Sequence, residues 1–180
     1  MTTIESTQKG IASTLSPFRI IVDVVLSANF YFFYWAYLTW KQMKLQTGRN
    51  YHPVWHALAL LVPIYNLFIF YRHIQTIKAL QEDAELKPPL KPGWIFTLWI
   101  IGGVLDFQSV RFAEVGVGVE AIVLIIAIVF IAVALVLAQR GLNAYWVHVG
   151  GETAKNARVG VGEVIFVILG LLYWASLFLL

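Results

Sequence analysis

The feature that most limits what this chain can fold into is Ala121 to Ala138, eighteen consecutive residues whose side chains carry no polar atom. As a helix this stretch is about 27 Å long, close to the ~30 Å hydrocarbon core of a bilayer. A helix on the edge of a soluble core keeps a polar stripe, and this one has none. Glu120 precedes it and Gln139-Arg140 follows it, so the water-seeking groups sit at its ends.

Composition extends the point to the whole chain. Of 180 residues, 59% are hydrophobic and 13% charged, with mean hydropathy +0.74. Soluble domains carry about 25% charged residues. The deficit calls for several membrane runs and leaves no polar stretch long enough to bury a core of its own. One membrane domain, 17–180, is expected behind a polar Ser/Thr-rich segment, 1–16. The net charge of +3 points to basic loops and not to a nucleic-acid surface. Without cysteine, thiolate nucleophiles, disulfides and cysteine-held metals are excluded. The first apolar run, Phe18 to Trp40, exceeds the 7–15 residues of a signal core, so it is expected to be retained.

Five membrane runs are expected, at about 18–40, 54–71, 94–112, 119–139 and 162–180, giving an all-α bundle of five membrane-embedded helices. The alternative is four spans plus one re-entrant or in-plane segment. Ser16-Pro17 reads as a helix start, and Thr47 to Asn50 as a turn. Pro63 removes a backbone donor within the second run and should kink it. That helix should continue to about residue 84, through Ile74, Ile77 and Leu80. The proline-rich segment 87–93 reads as an extended linker. With five spans, nine Lys and Arg fall on one face and four on the other, placing the N-terminus in the cytoplasm. If the second run does not span, the division is ten to three and the N-terminus lies outside. Both versions make loops 72–93 and 140–158 cytoplasmic and place the C-terminus outside.

Polar groups inside the runs are the candidates for function, because burying them in lipid is costly. They are Arg19, Asp23, Asn29, Asn66 and Glu163. Arg19 and Asp23 stand one turn apart and can pair, and the acids could alternatively line a proton or ion path. Glu120 and Glu163 also suit the first turn of a helix, facing its dipole. Asp106 and Arg111 read as an interfacial turn. His56 and His73 are the candidates for a haem or chlorin ligand, against the plainer reading of interfacial histidines. Gly102, Gly103, Gly116, Gly118, Gly160, Gly162 and Gly170 are expected to let helices approach closely. No catalytic triad, phosphate loop or His-Glu-x-x-His zinc pattern is present, and no catalytic, metal or cofactor site is assigned.

Several short motifs recur in one known family. They are Phe33 to Trp40, a His52-Pro-Val-Trp55 start to the second run, Leu67 to Arg72, Leu105-Asp106, Ala138 to Asn143, and Asn156 to Glu163. The chain resembles a family of small prokaryotic multi-pass membrane proteins classed only as a domain of unknown function. The likeness covers most of residues 25–180, with Phe107 departing from the Pro often found after the aspartate. It implies a prokaryotic cytoplasmic membrane and a helical bundle, and it implies no chemistry. The function expected is a non-catalytic accessory or scaffold subunit, with the bilayer and other membrane subunits or further copies as partners. An oligomeric channel or proton-coupled carrier is the alternative, then a haem- or pigment-binding subunit, then a lipid-modifying enzyme.

Overall fold

The computed structural model describes residues 13–151 and 155–179. Most of the polar segment 1–16, residues 152–154 of the last loop and Leu180 lie outside them. The described residues are helical almost throughout. In chain order they form β1 (Ser13–Thr14), α1 (Pro17–Leu26), α2 (Tyr31–Thr47), α3 (Pro53–Ala59), α4 (Tyr65–Asp83), α5 (Pro92–Ser109), a 3-10 turn (Val110–Glu114), α6 (Val117–Gly150), β2 (Lys155–Asn156) and α7 (Val161–Leu179). The two short strands pair in parallel, Ser13 with Lys155 and Thr14 with Asn156.

Two helices are long and apolar enough to cross a membrane. One is Pro92–Phe112, which is α5 with the start of the 3-10 turn, and the other is α6, Val117–Gly150. They pack against each other as an antiparallel pair. Gly102 is a contact point, because a Cβ there would lie 2.6 Å from Ile131 Cγ1 and 3.0 Å from the Ala127 carbonyl oxygen. The central helix is longer than its apolar run. The polar stretch from Gln139, expected to leave the span as a loop, stays helical to Gly150. Its carbonyl at Gly141 accepts from Gln81 Nε2 at 2.9 Å, and Gln81 Oε1 accepts from the Leu90 amide at 2.7 Å. One buried glutamine thus ties α4, the linker and α6 together.

The first two runs depart from expectation. Phe18–Trp40 is not one helix. It stops at Leu26, turns through Ser27–Phe30 and doubles back as α2. Ala28 and Asn29 take positive φ, 46° and 73°, a conformation that asparagine tolerates better than most residues. Both ends of this hairpin lie together: Gln42 Nε2 donates to Ser13 Oγ at 2.6 Å, and Leu15 and Asn143 exchange two backbone–side-chain bonds. Its tip lies against the middle of α7, where Gly170 meets the backbone of Ser27 and Trp174 Nε1 donates to the Val25 carbonyl at 2.9 Å.

The second run repeats the pattern. Pro63 does not merely kink a spanning helix. α3 ends at Ala59, Ile64 takes φ 67°, and α4 returns. A β-branched residue at positive φ is strained. The Arg49–Asp83 ion pair, at 3.3 Å, closes the mouth of this hairpin. Trp40 stacks on both of its arms, against His56 of α3 at 4.3 Å and His73 of α4 at 4.7 Å. α4 ends at Asp83, close to the expected 84. The arms α1 and α3, at ten and seven residues, are only about 15 and 10 Å long.

The glycines divide accordingly. Gly160 and Gly162 lie against the Tyr34 ring and Gly170 against the tip of the first hairpin. Gly103, Gly116 and Gly118 have open space where a Cβ would go, so they are not packing glycines as expected. Gly116 instead adopts φ 144° at the start of α6. Gly141, which composition alone did not single out, is a contact glycine, with Leu90 Cδ1 at 2.5 Å from its virtual Cβ.

Gly170→Leu is expected to cost about 1–3 kcal/mol or more, since its neighbour is backbone that cannot rotate away. Gly103→Ala is expected to be neutral or slightly stabilising. Thermal unfolding of the detergent-solubilised protein measures both, and equal effects would refute the seating of the first tip on α7.

Candidate functional site

The polar residues picked out in the sequence gather into three clusters along the hairpins. At the mouth of the first hairpin, Arg19 of α1 reaches α7. Its Nε donates to Glu163 Oε1 at 2.6 Å, and its Nη2 makes a short contact with Glu163 Oε2. The arrangement is the two-pronged one that suits guanidinium and carboxylate. The remaining donors bond the Ala157 and Arg158 carbonyls. The Gly160 amide also donates to Glu163, at 3.3 Å. Asp23, expected as the partner of Arg19, is the looser one, at 3.8 Å. It lies within hydrogen-bonding reach of Glu163. The side chains of Arg19 and Glu163 are 19% and 4% exposed. The cluster is therefore a buried clamp between α1 and α7, in which two carboxyls share one guanidinium. Tyr31 OH, buried within the same electrostatic neighbourhood, has no hydrogen-bond partner.

At the tips, Asn29 and Asn66 come together with Asp106 around a cavity of about 300 Å³, walled by Phe32, Phe33, Leu60 and Trp99. Asn29 Nδ2 donates to Asp106 Oδ1 at 3.0 Å, and its Oδ1 is buried without a partner. Asp106 is thus not an interfacial turn residue as expected. It lies within α5, three residues before its end, and receives the first hairpin's tip. Its position inside the third apolar run was the signal available in the sequence. A second crevice, of about 480 Å³, opens below this tip between Asp106, Arg111, Leu124 and Tyr173.

Between mouth and tip, His73 is fully buried. It stacks on Trp35 at 5.0 Å and 21°, and lies tilted against Trp40 at 4.7 Å and 37°. Thr39 Oγ1 lies 3.0 Å from His73 Nε2 and directs its own proton to the Trp35 carbonyl at 2.8 Å. Nε2 is therefore assigned as the protonated nitrogen and the donor. Trp35 in turn donates to Gln139 Oε1 at 2.8 Å, and Gln139 Nε2 to Asn143 Oδ1 at 2.8 Å. The imidazole proposed as a haem ligand serves here as a packed ring with its Nε2 engaged. His56 lies on the other side of Trp40, with Nδ1 2.8 Å from the His52 carbonyl oxygen.

Among the described residues no group of three or more His, Cys, Asp or Glu is placed to hold a metal ion. The chain matches no family model, no curated protein and no solved structure.

Two outcomes follow. Arg19→Leu should cost about 3–5 kcal/mol, because it leaves two buried carboxyls facing each other without a cation. Glu163→Leu should cost less, because Asp23 remains to take the guanidinium. Unfolding in micelles compares them, and the reverse order would reject the shared clamp.

Proposed function

We propose that the protein is an integral membrane protein acting as a non-catalytic scaffold or accessory subunit. Three helices, α5, α6 and α7, cross the bilayer, and the hairpins α1–α2 and α3–α4 enter and leave from the cytoplasmic face. One observation carries the membrane part. The outer faces are covered by large apolar side chains, including Phe18 at 74% exposure, Trp55 at 71%, Phe68 at 67%, Ile122 at 60% and Val161 at 80%. Water would penalise such a continuous apolar surface, whereas lipid or a membrane partner would not. α7 is shorter in its apolar extent than α5 and α6, at Val161–Leu177, about 25 Å, and crosses with its ends at the interfaces.

Charge supports the orientation. Between residues 92 and 139 the single Lys or Arg is Arg111, and none follows Arg158. Every other described basic residue lies on the hairpins or the connections at their mouths, except Arg140, which lies in the last third of α6, next to the Gln139 and Gly141 contacts with α2 and α4. The asymmetry exceeds what five full spans would give, and it meets the positive-inside rule without moving loops 72–93 or 140–158 from the cytoplasm. The first loop, 41–53, moves to the cytoplasmic side with them.

The scaffold reading draws on how the polar residues are used. Asp23 and Glu163, which a proton path would need free, are tied to Arg19, and His73 is held in an indole stack. Their geometry favours holding helices together over turnover. The resemblance to small uncharacterised prokaryotic membrane proteins supports a helical membrane bundle and supplies no chemistry.

The test uses the absence of native cysteine. Cysteines introduced singly at Gln46, at the exposed His148 near the end of α6, and at Glu114 report three positions. Gln46 and His148 should react with a membrane-impermeant maleimide only from the cytoplasmic side, and Glu114 only from the outside. Labelling of Gln46→Cys from outside would restore the five-span arrangement and overturn the hairpin topology.

A further inference from the structure

We infer that the protein binds a single alkali-metal cation where the two hairpin tips meet α5, held by oxygens of Asp106, Asn29 and Asn66. The inference goes beyond the scaffold reading. It does not depend on which helices cross the bilayer, because all three side chains border one cavity of the protein.

Charge gives the first argument. Asp106 is partly buried in α5, and none of the ion pairs among the described residues includes it. Arg111 lines the outer crevice beside it but not the inner cavity, and no Lys, Arg or His borders that cavity. An ionised carboxylate drawn out of water is costly unless a cation compensates it. An oxygen left over gives the second. Asn29 is only 8% exposed. Its Nδ2 donates to Asp106 Oδ1 at 3.0 Å, which sets the amide's orientation, since an ionised carboxylate only accepts. Asn29 Oδ1 is then buried without a donor. A buried polar atom in this position calls for a partner.

The second tip brings a further amide. Asn66 of α4 borders the same 300 Å³ cavity, and its side chain makes no hydrogen bond among the described residues. One carboxylate and two amides therefore face a space whose remaining wall is glycine, alanine and large apolar or aromatic side chains. Oxygen donors without His or Cys suit hard cations. A single carboxylate is neutralised by a single positive charge, whereas a divalent ion would leave excess charge among apolar groups. Asp106 and Ala28 line both this cavity and the outer crevice, which gives an ion a route in from the side of Arg111. Once bound, the ion links both tips to α5, where the protein itself supplies the Asn29–Asp106 bond.

The full chain in detergent is unfolded thermally near neutral pH in sodium chloride, potassium chloride and choline chloride at equal ionic strength. Choline carries the same charge but is too bulky for a site of three converging oxygens. The unfolding midpoint should rise saturably, by roughly 3–8 °C, in at least one alkali salt relative to choline. Asp106→Asn keeps the side chain's shape and can still bond Asn29, and it should abolish the rise. Asn66→Ala, at a less buried position, should weaken the apparent cation affinity several-fold. Equal midpoints in all three salts, or a rise that either variant leaves unchanged, would overturn the proposal. Neither result touches the membrane topology, which the maleimide labelling decides separately.

Discussion

The constraint on which the fold depends is the satisfaction of backbone amides where two helices stop and reverse. An unpaired amide in hydrocarbon costs several kcal/mol, so a reversal in the proposed bilayer requires that the chain bond its own groups. The first tip does so residue by residue. The amides of Ser27, Ala28, Asn29 and Phe30 donate to the carbonyls of Asp23, Val25, Val24 and Ser27, at 2.9 to 3.2 Å. Tyr31 donates to Ser27 Oγ at 2.8 Å and so begins α2 with a side-chain cap. In the second tip, Leu60, Leu61 and Val62 donate to Ala57, Leu58 and Ala59, and Pro63 removes one donor from the account altogether. The residue that breaks the helix also lowers the cost of breaking it.

Given closed tips, the rest of the structure fixes where the arms lie. Polar side chains hold them at both ends and aromatic rings between. Arg19 binds α1 to α7 at the mouth, and Asn29 binds the tip to α5. Phe32, Phe70 and Trp99 join α2, α4 and α5 through ring contacts of 4.4 to 5.7 Å. In the bilayer proposed above there is little hydrophobic drive between helices, so packing and hydrogen bonds would supply the association. Such a mixture resists sliding, because shifting one arm would break a buried bond as well as a ring contact. The proposed scaffold role needs that rigidity.

Much of this was legible in the chain. Eighteen apolar residues from Ala121 required a long buried or lipid-facing helix, and α6 is that helix. Pro17, Pro53 and Pro92 each begin a helix, as a residue with preset φ and no amide to satisfy should. Gly48 ends α2 in the left-handed conformation. The composition excludes thiol chemistry, and the sequence carries no catalytic triad, phosphate loop or zinc pattern. These features depend on local geometry or on composition, which a linear sequence contains in full. The polar residues inside the apolar runs were also visible, but their partners were not: Glu163 is 144 positions from Arg19, and Asp106 is 77 from Asn29.

What only tertiary structure decided is whether a long apolar run crosses or returns. Phe18–Trp40 and Ala121–Ala138 both have the length of a span. They differ because Ser27 to Phe30 can close its own hydrogen bonds, with Trp174 and the backbone beside Gly170 waiting to receive it. Hydropathy sums side-chain transfer energies and is blind to such closure. The chain alone determined that these segments avoid water, and the packed structure decided how deep each of them goes.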